Sequence, residues 1–110
     1  MASRIYRDWF KAIRNKQRVS YVHDGHPREG CPHVLGLDKD GKEKVLVYRI
    51  IPGRKGPGEW RCLFVSDTAQ ILPAAGEWLE GGSHKQRNSC VIGVDIDVNR
   101  AAKQRYRWPG

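Results

Sequence analysis

The stretch KVLVYRIIPGRKGPGEWRCLFV, residues 44–65, decides the fold class of this chain. It contains two runs rich in β-branched, aromatic and other apolar residues, 44–51 and 60–65, separated by a cationic loop rich in Gly and Pro. Successive side chains of a strand point to opposite sides of a sheet, and here both sides carry large apolar groups. One side can line a small barrel, so we expect the other side to need a cover.

Strand signals continue on both sides of this stretch. The dipeptide Asp24-Gly25 is a strong hairpin signal after the first strand. The second strand is bent at Pro32 and ends in a turn at 38–41. The predicted strands cover residues 18–23, 28–37, 44–51, 60–65 and about 67–72, and a last strand, in which Val and Ile alternate with Asp, covers 91–98. The stretch 73–90 is predicted to be irregular.

Residues 3–16 are predicted to form an amphipathic helix that covers the sheet. Ile5, Trp9 and Ile13 recur every four residues as an apolar stripe. Ser3 is a suitable N-cap, and the opposite side is basic. A helix with five short strands and tight turns predicts a mainly β fold, a small SH3-like or Sm-like five-stranded barrel with an N-terminal helix packed on it. The alternative cover is a second copy of the chain, in a homodimer.

The chain has 110 residues, which is enough for one small domain. We place this domain at 1–98 and a basic tail at 99–110. The net charge of +8 lies at the two ends, because residues 1–18 carry +5, residues 83–110 carry +4 and the middle carries −1. Two interpretations stay open: the basic ends attract a polyanion such as nucleic acid, or they only keep a small protein soluble.

Three features of the sequence bear on the compartment. No apolar run approaches the ~20 residues of a membrane span, and the N-terminal residues lack the continuous hydrophobic stretch of a secretory signal. Cys31, Cys62 and Cys90 are odd in number and not closely paired, which indicates reduced thiols and not a disulfide framework. We therefore expect a cytoplasmic protein with no membrane partner.

Several elements between residues 10 and 80 occur in a recognisable order. They are a helix end at Ala12-Ile13, Tyr21 in the first strand, Arg28 followed by Pro32 in the second, a Gly-bounded hairpin at 36–41, Tyr48 in the third, Arg61 with Phe64 in the fourth, and Ile71 after a short turn. Together they resemble the WYL domain family, in particular its short, free-standing bacterial members. The family's Trp-Tyr-Leu trio is replaced here by Glu43-Lys44-Val45, and its usual basic residue before the last aliphatic by Ala69-Gln70.

The resemblance implies an Sm-like barrel that acts as a sensor or binding module and not as an enzyme, in regulatory or defence contexts. It also implies a basic, aromatic-edged surface that binds a nucleotide or single-stranded nucleic acid. Carried over residue by residue, it implies ligand-binding roles for Tyr21, Arg28, Tyr48 and Arg61. We add His33 and Arg49 because they neighbour these positions in the sequence.

These residue types suit such a ligand, since arginine can hold a phosphate with two parallel hydrogen bonds and tyrosine stacks on any base. Tyr48 and Arg49 are consecutive in one strand and so lie on opposite faces, and Arg49 is the one that we would omit first. The structural alternative is that Tyr21 and Tyr48 pack inside the barrel. In that alternative the arginines pair with Glu29, Glu43 or Glu59.

Two further residue groups bear on metal binding and catalysis. The first is His23, His26, Cys31 and His33, which lie within eleven residues in a spacing that permits a zinc site but matches no known zinc module; exposed loop histidines are the alternative. The second is the pair Asp95 and Asp97, for which alternation favours the wet side of an edge strand. The chain has no G-x-S-x-G, P-loop or H-E-x-x-H motif. We therefore expect no catalytic site, no metal and no cofactor.

A small metal-binding protein is a weaker alternative function, which stoichiometric zinc in the purified protein would favour. A protein–protein module is the main alternative function. In this interpretation the apolar outer sheet face or the strand at 91–98 pairs with a partner or with a second copy of the chain. Steep salt dependence of nucleic-acid binding would favour the ligand-binding module. A mass that depends on concentration, without ligand affinity, would favour the protein–protein module.

Overall fold

The computed structural model of the protein describes residues 3–51, 53, 58–81 and 90–98. Its elements in chain order are helix α1 (Arg4–Arg14), strands β1 (Val19–His23), β2 (His26–Leu37), β3 (Glu43–Ile50) and β4 (Glu59–Phe64), a single 3₁₀ turn (Val65–Asp67), and strands β5 (Thr68–Pro73) and β6 (Gly93–Asp97). In the part of the chain that the structure describes, no helix has the length and apolarity to cross a membrane. The predicted basic tail at 99–110 lies outside the described residues.

The six described strands form one antiparallel sheet in the order β4-β3-β2-β1-β5, with β6 paired to β2 beyond the end of β1. β2 has 12 residues, which is long enough for both partners, and its register with β3 shifts between Pro32 and Val34. The mainly β class with an N-terminal helix is confirmed. The sheet, however, is open and has six strands, so the predicted five-stranded barrel is not shown.

Helix α1 covers one face of the sheet, as the sequence predicts. The Ser3 Oγ accepts a hydrogen bond from the backbone N–H of Tyr6 at 3.1 Å, which caps the helix. Trp9 and Ile13 are fully buried, and the Trp9 Nε1–H donates to the Thr68 Oγ1 at 3.0 Å. The basic residues of the opposite side, Arg4, Arg7, Lys11 and Arg14, are exposed. The main core therefore lies between this helix and the sheet.

The opposite face of the sheet is covered by an irregular segment, residues 77–81, which we call the strap. The Trp78 ring packs on His33 with 4.7 Å between centroids. The backbone N–H of Leu79 donates to the Cys31 Sγ at 3.3 Å. Burial raises the pKa of this thiol. A second, smaller apolar cluster on this face consists of Val34, Leu46 and Val91, with Trp60, Cys62 and Cys90 packed against it.

Cys62 and Cys90 form a disulfide, with 6.3 Å between their Cα atoms. The prediction of reduced thiols is therefore wrong for two of the three cysteines, and Cys31 is the free one. Spacing could not show the pair, since 28 positions separate the two residues. They meet on the strap-covered face, where both pack against the cluster of Val34, Leu46 and Val91.

Strand β6 differs from the predicted edge strand. Asp97 is only 5% exposed, and the Tyr6 hydroxyl donates to the Asp95 Oδ2 at 2.5 Å. Helix α1 contacts this strand, so its aspartates do not form a wet side. The interpretation from alternation is therefore wrong, and the large exposed side chains near this strand are Ile92 and Val94.

Candidate anion-binding site

A cavity of about 500 Å³ opens beside the β1–β2 hairpin and β4. It is lined by three arginines, one each from β2, β3 and β4, together with aromatic, apolar and acidic residues. The lining residues are Tyr21, His23, Asp24, His26, Arg28, Arg49, Trp60, Arg61, Cys62, Leu63, Phe64 and Asp67. We call it the arginine cavity.

Strand register places the three arginines on the same face of the sheet as Tyr21. Residues that pair across strands share a face, and so do residues two apart in one strand. The Cα partners that show this are Tyr21 with Arg28, Gly30 with Arg49, and Val47 with Arg61. This is the helix-covered face, because Val47 and Tyr21 also belong to the main core. The cavity therefore begins where the core under the helix ends.

Tyr21 marks the border between the core and the cavity. Its side chain is 3% exposed, and its ring meets the Trp9 ring edge-on at 5.2 Å. Burial raises the pKa of Tyr21 to about 12, and the positive charges of Arg49, Arg28 and Arg61 partly offset this effect. All three guanidinium groups thus act on one phenol. An anion placed beside that phenol would lie in the same positive field.

The hydrogen-bonding capacity of the arginines is mostly unused. The Arg49 Nε is buried and makes no hydrogen bond to any described residue. The Arg28 Nη1–H donates to the Pro27 carbonyl at 3.0 Å, and the Arg61 Nη2 lies 3.0 Å from the Glu59 Oε2 in a largely exposed ion pair. A guanidinium has five N–H donors, and an exposed pair contributes little. Within the described residues, most of the donors of these three arginines therefore have no acceptor and can serve a ligand.

The structure bears on the alternative that these arginines only pair with glutamates. Glu59 does pair with Arg61, as that alternative requires. Glu29, in contrast, pairs with Arg18, which does not line the cavity. Glutamate pairing therefore accounts for one of the three cavity arginines within the described chain.

Two aromatic residues of β4, Trp60 and Phe64, border the cavity but lie on the opposite face from the three arginines. Trp60 pairs with Tyr48 and Phe64 with Lys44, whereas Arg61 pairs with Val47. Trp60 packs on Tyr48 with 5.0 Å between centroids, and the Lys44 Nζ lies 3.7 Å from the Phe64 ring centroid. Their rings therefore belong to the face that the strap covers, and the arginines form the polar part of the cavity.

The structure separates the six predicted binding residues into two groups. Tyr21, Arg28, Arg49 and Arg61 line the arginine cavity. Tyr48 lies on the other face, where its hydroxyl accepts a hydrogen bond from the Gly58 backbone N–H at 2.6 Å.

Tyr48 and Arg49 do lie on opposite faces, as predicted. The choice between them is reversed, however, because Arg49 lines the cavity and Tyr48 does not. The sequence could not decide this choice, since both faces of β3 carry apolar residues.

His33 also lies away from the cavity. It is fully buried, its Nδ1 is 2.7 Å from the Cys31 carbonyl oxygen, and its ring packs on Trp60 and Trp78. This position is a correction to its predicted place in the binding surface, and the reason is that the strap covers that part of β2. Within the described residues the predicted quartet of His23, His26, Cys31 and His33 is not brought together.

Sequence reasoning missed several cavity residues. Asp24 and Asp67 enter the cavity through the hairpin turn and the 3₁₀ turn. His23 and His26 also line the cavity. Strand alternation gave a signal for both, since His23 is two residues from Tyr21 in β1 and His26 is two residues from Arg28 in β2. No such signal existed for Asp67, because its place depends on how β4 returns to β5.

Comparisons of the chain with models of known protein families, with curated proteins and with solved structures find no match. The resemblance to the WYL family is therefore neither supported nor contradicted by them.

Proposed function

We propose that the protein is a binding module and not an enzyme, and that its arginine cavity holds the phosphate groups of a nucleotide or of single-stranded nucleic acid. The observation that carries this proposal is the convergence of Arg28, Arg49 and Arg61, from three neighbouring strands, on one cavity beside Tyr21. A planar guanidinium matches the oxygens of a phosphate in pairs, which a lysine cannot do.

Unused donors support a phosphate as the bound group. Leaving a buried donor unsatisfied costs about 1–3 kcal/mol, and the buried Arg49 Nε has no acceptor among the described residues. An anion in the cavity supplies that acceptor. The carboxylates that line the cavity, Asp24 and Asp67, belong to the two turns, whereas the arginines belong to strands.

The size of the cavity supports a nucleotide unit. Sites for small molecules span about 300–1,000 Å³, and this cavity of about 500 Å³ falls in that range. The exposed basic side of α1 would add salt-sensitive affinity for a longer strand, without regard to sequence.

The test compares two double variants that remove the same charge at different places. Arg28→Ala with Arg49→Ala empties the cavity of two guanidinium groups, and Arg4→Ala with Arg7→Ala removes two exposed arginines of α1. Binding of ATP and of a labelled single-stranded oligonucleotide is measured at low and moderate salt. We expect the cavity variant to weaken binding at least about tenfold, since each charged hydrogen bond contributes about 1.5–3 kcal/mol.

The helix variant is the control for net charge. It should lower oligonucleotide affinity only at low salt and leave ATP affinity unchanged, since surface charge is screened. Equal weakening by both variants would show that net charge alone binds the ligand, and the proposal would then fail. Circular dichroism and thermal melts establish that each variant is folded.

We also propose the finer fold class, a small SH3-like or Sm-like barrel of the WYL type. Three features support it: the strand order β5-β1-β2-β3-β4, the single 3₁₀ turn between β4 and β5, and the bent β2. The backbone N–H of Asp24 donates to the Asp67 carbonyl at 3.1 Å, so the hairpin touches the turn that would close such a barrel. The ordered set of elements between residues 10 and 80 that resembles the family pattern is the basis for the WYL assignment.

A protein partner is the second candidate function, and one observation favours it. Val94 of β6 is 41% exposed, and Ile92, which directly precedes β6, is 61% exposed. Among the described strands, β6 pairs with β2 alone. An exposed edge with apolar side chains can pair with another chain. A mass that rises with concentration in wild type, and falls on Val94→Lys, would support this homodimer.

The cytoplasmic location stays a proposal. A nucleotide or nucleic-acid ligand is in keeping with it, whereas the Cys62–Cys90 disulfide is typical of oxidising compartments. The oxidation state of these two cysteines in cells decides between the two environments. Trapping free thiols at the moment of lysis measures that state directly.

A further inference from the structure

The tip of the β1–β2 hairpin lies against the 3₁₀ turn. Asp24 and Gly25 adopt positive φ angles of 50° and 80°, which are the angles of a tight two-residue turn. A hydrogen bond from the Asp24 N–H to the Asp67 carbonyl joins this tip to the 3₁₀ turn. His23, the last residue of β1, pairs with His26 on one side and with Thr68 on the other. Two turns and a doubly paired strand end therefore hold these backbones together.

Three side chains of types that can bind metal ions lie close together where the hairpin tip meets the 3₁₀ turn. One nitrogen of His23 and one carboxylate oxygen from each of Asp24 and Asp67 all lie within 4.8 Å of one another. The His23 Nε2 is 3.6 Å from the Asp24 Oδ2. Ligand atoms around a tetrahedral zinc ion lie about 3.3 Å apart, given bonds of about 2.0–2.1 Å. The existing arrangement therefore needs side-chain movements of about 1 Å to close on an ion.

The two carboxylates of this group, Asp24 and Asp67, are not neutralised by a lysine or an arginine, since in the described part of the chain neither lies within ion-pair distance of one. Two carboxylates this close repel one another, and a bound cation converts that repulsion into attraction. One imidazole nitrogen with two carboxylate oxygens suits zinc and similar transition metals better than magnesium or calcium, which prefer oxygen alone.

We propose that His23, Asp24 and Asp67 form a binding site for a divalent transition-metal ion of the zinc class. Three protein ligands leave a fourth position open, as in zinc sites that bind a further molecule. The same three residues line the arginine cavity, so the open position is next to the space where an anion would lie. The site itself depends only on these three side chains and not on the function proposed for the cavity.

The test is zinc binding alone, with the full chain free of any histidine tag. Isothermal titration with Zn²⁺ should show one site per chain. Asp67→Asn, Asp24→Asn and His23→Ala should each weaken it at least about tenfold, since even outer partners of a metal ligand are worth about tenfold or more. Asparagine tolerates the positive φ of residue 24, so Asp24→Asn keeps the turn and the fold.

His26→Ala is the matched control, because it removes a histidine from the same hairpin but outside the trio. It should keep zinc affinity within about threefold of wild type. Equal losses in His26→Ala and His23→Ala would overturn the assignment, as would unchanged affinity in Asp67→Asn or the absence of a stoichiometric site. The cavity variant with Arg28→Ala and Arg49→Ala should bind zinc as well as wild type or better, which separates this site from the anion site.

Discussion

The two faces of the sheet are covered in different ways. One face lies under helix α1, a regular element whose Trp9 and Ile13 are fully buried in the main core. The other face lies under the strap, which has no regular structure and contacts the sheet through Trp78 and the Leu79 N–H. A disulfide from β4 to Cys90 holds the chain on this second side.

The comparison shows which polar residues are free for function. On the strap side, His33 and Tyr48 have the residue types of a binding site, but they are buried and hydrogen-bonded to backbone groups. On the helix side the cover ends before the sheet does. The strand residues beyond the cover, Arg28, Arg49 and Arg61, therefore line an open cavity. Residue type predicts a site only where the cover leaves the face open.

Removing the main anchor of the helix should have the largest effect. Trp9→Ala deletes a fully buried indole and its hydrogen bond to Thr68. Such truncations cost about 3–5 kcal/mol, which is a large part of the stability of a small domain. Urea unfolding should show this loss, with Trp78→Ala on the strap side costing less because Trp78 is only half-buried. A larger loss in Trp78→Ala would show that the strap, and not the helix, stabilises the sheet.

Breaking the disulfide should have the next largest effect. The Cys62–Cys90 bond closes a loop with a sequence separation of 28, for which the chain-entropy estimate is about 3.5 kcal/mol. Addition of a dithiol reductant, or Cys90→Ala, should lower the free energy of unfolding by about that amount. Cys31→Ala is the control, since its thiol is free and the variant should keep its response to reductant. Stability that does not change on reduction would contradict a structural role for the bond.

The sequence predicted local structure better than the packing of distant segments. The Asp24-Gly25 hairpin, the Ser3 cap and the apolar stripe of α1 depend on neighbours within a few residues, and all three are confirmed. The Cys62–Cys90 bond and the burial of Asp97 depend on where β6 returns to the sheet. Nothing in the neighbouring sequence specifies that return.

In the candidate site, too, the residues placed by local structure could be predicted and those placed by distant contacts could not. Strand alternation puts Tyr48 and Arg49 on opposite faces, but it cannot say which face the strap covers, because both are apolar. Asp67 reaches the cavity because its turn lies against the β1–β2 hairpin, through the hydrogen bond from Asp24 and the pairing of His23 with Thr68. Contacts between turns distant in sequence leave no periodic signal. The strand residues of the cavity could therefore be named from the sequence, and Asp67 could not.

The smallest expected effect concerns Tyr21, which lies at the border between the main core and the arginine cavity. Burial raises the pKa of Tyr21 to about 12. The unfolded chain loses that phenolic proton near pH 10, whereas the folded chain keeps it until about pH 12. The unfolded state therefore binds fewer protons between these values, so stability falls as pH rises. The stabilisation is complete below about pH 10 and lost as pH passes the folded pKa.

At about pH 11 this difference amounts to about 1.4 kcal/mol, because pH 11 lies about one unit above the unfolded pKa and one pKa unit corresponds to about 1.4 kcal/mol. Tyr21→Phe should remove the tyrosinate absorbance step near pH 12 and reduce the fall in stability at about pH 11 by that amount. Arg49→Ala should move the step to higher pH, because Arg49 is the first of the three arginines that lower the pKa of Tyr21. A step that persists in Tyr21→Phe would belong to another tyrosine. A step in Arg49→Ala that does not move would show that this guanidinium does not face the phenol, and the arginine cavity would then lose the contact on which the anion site depends.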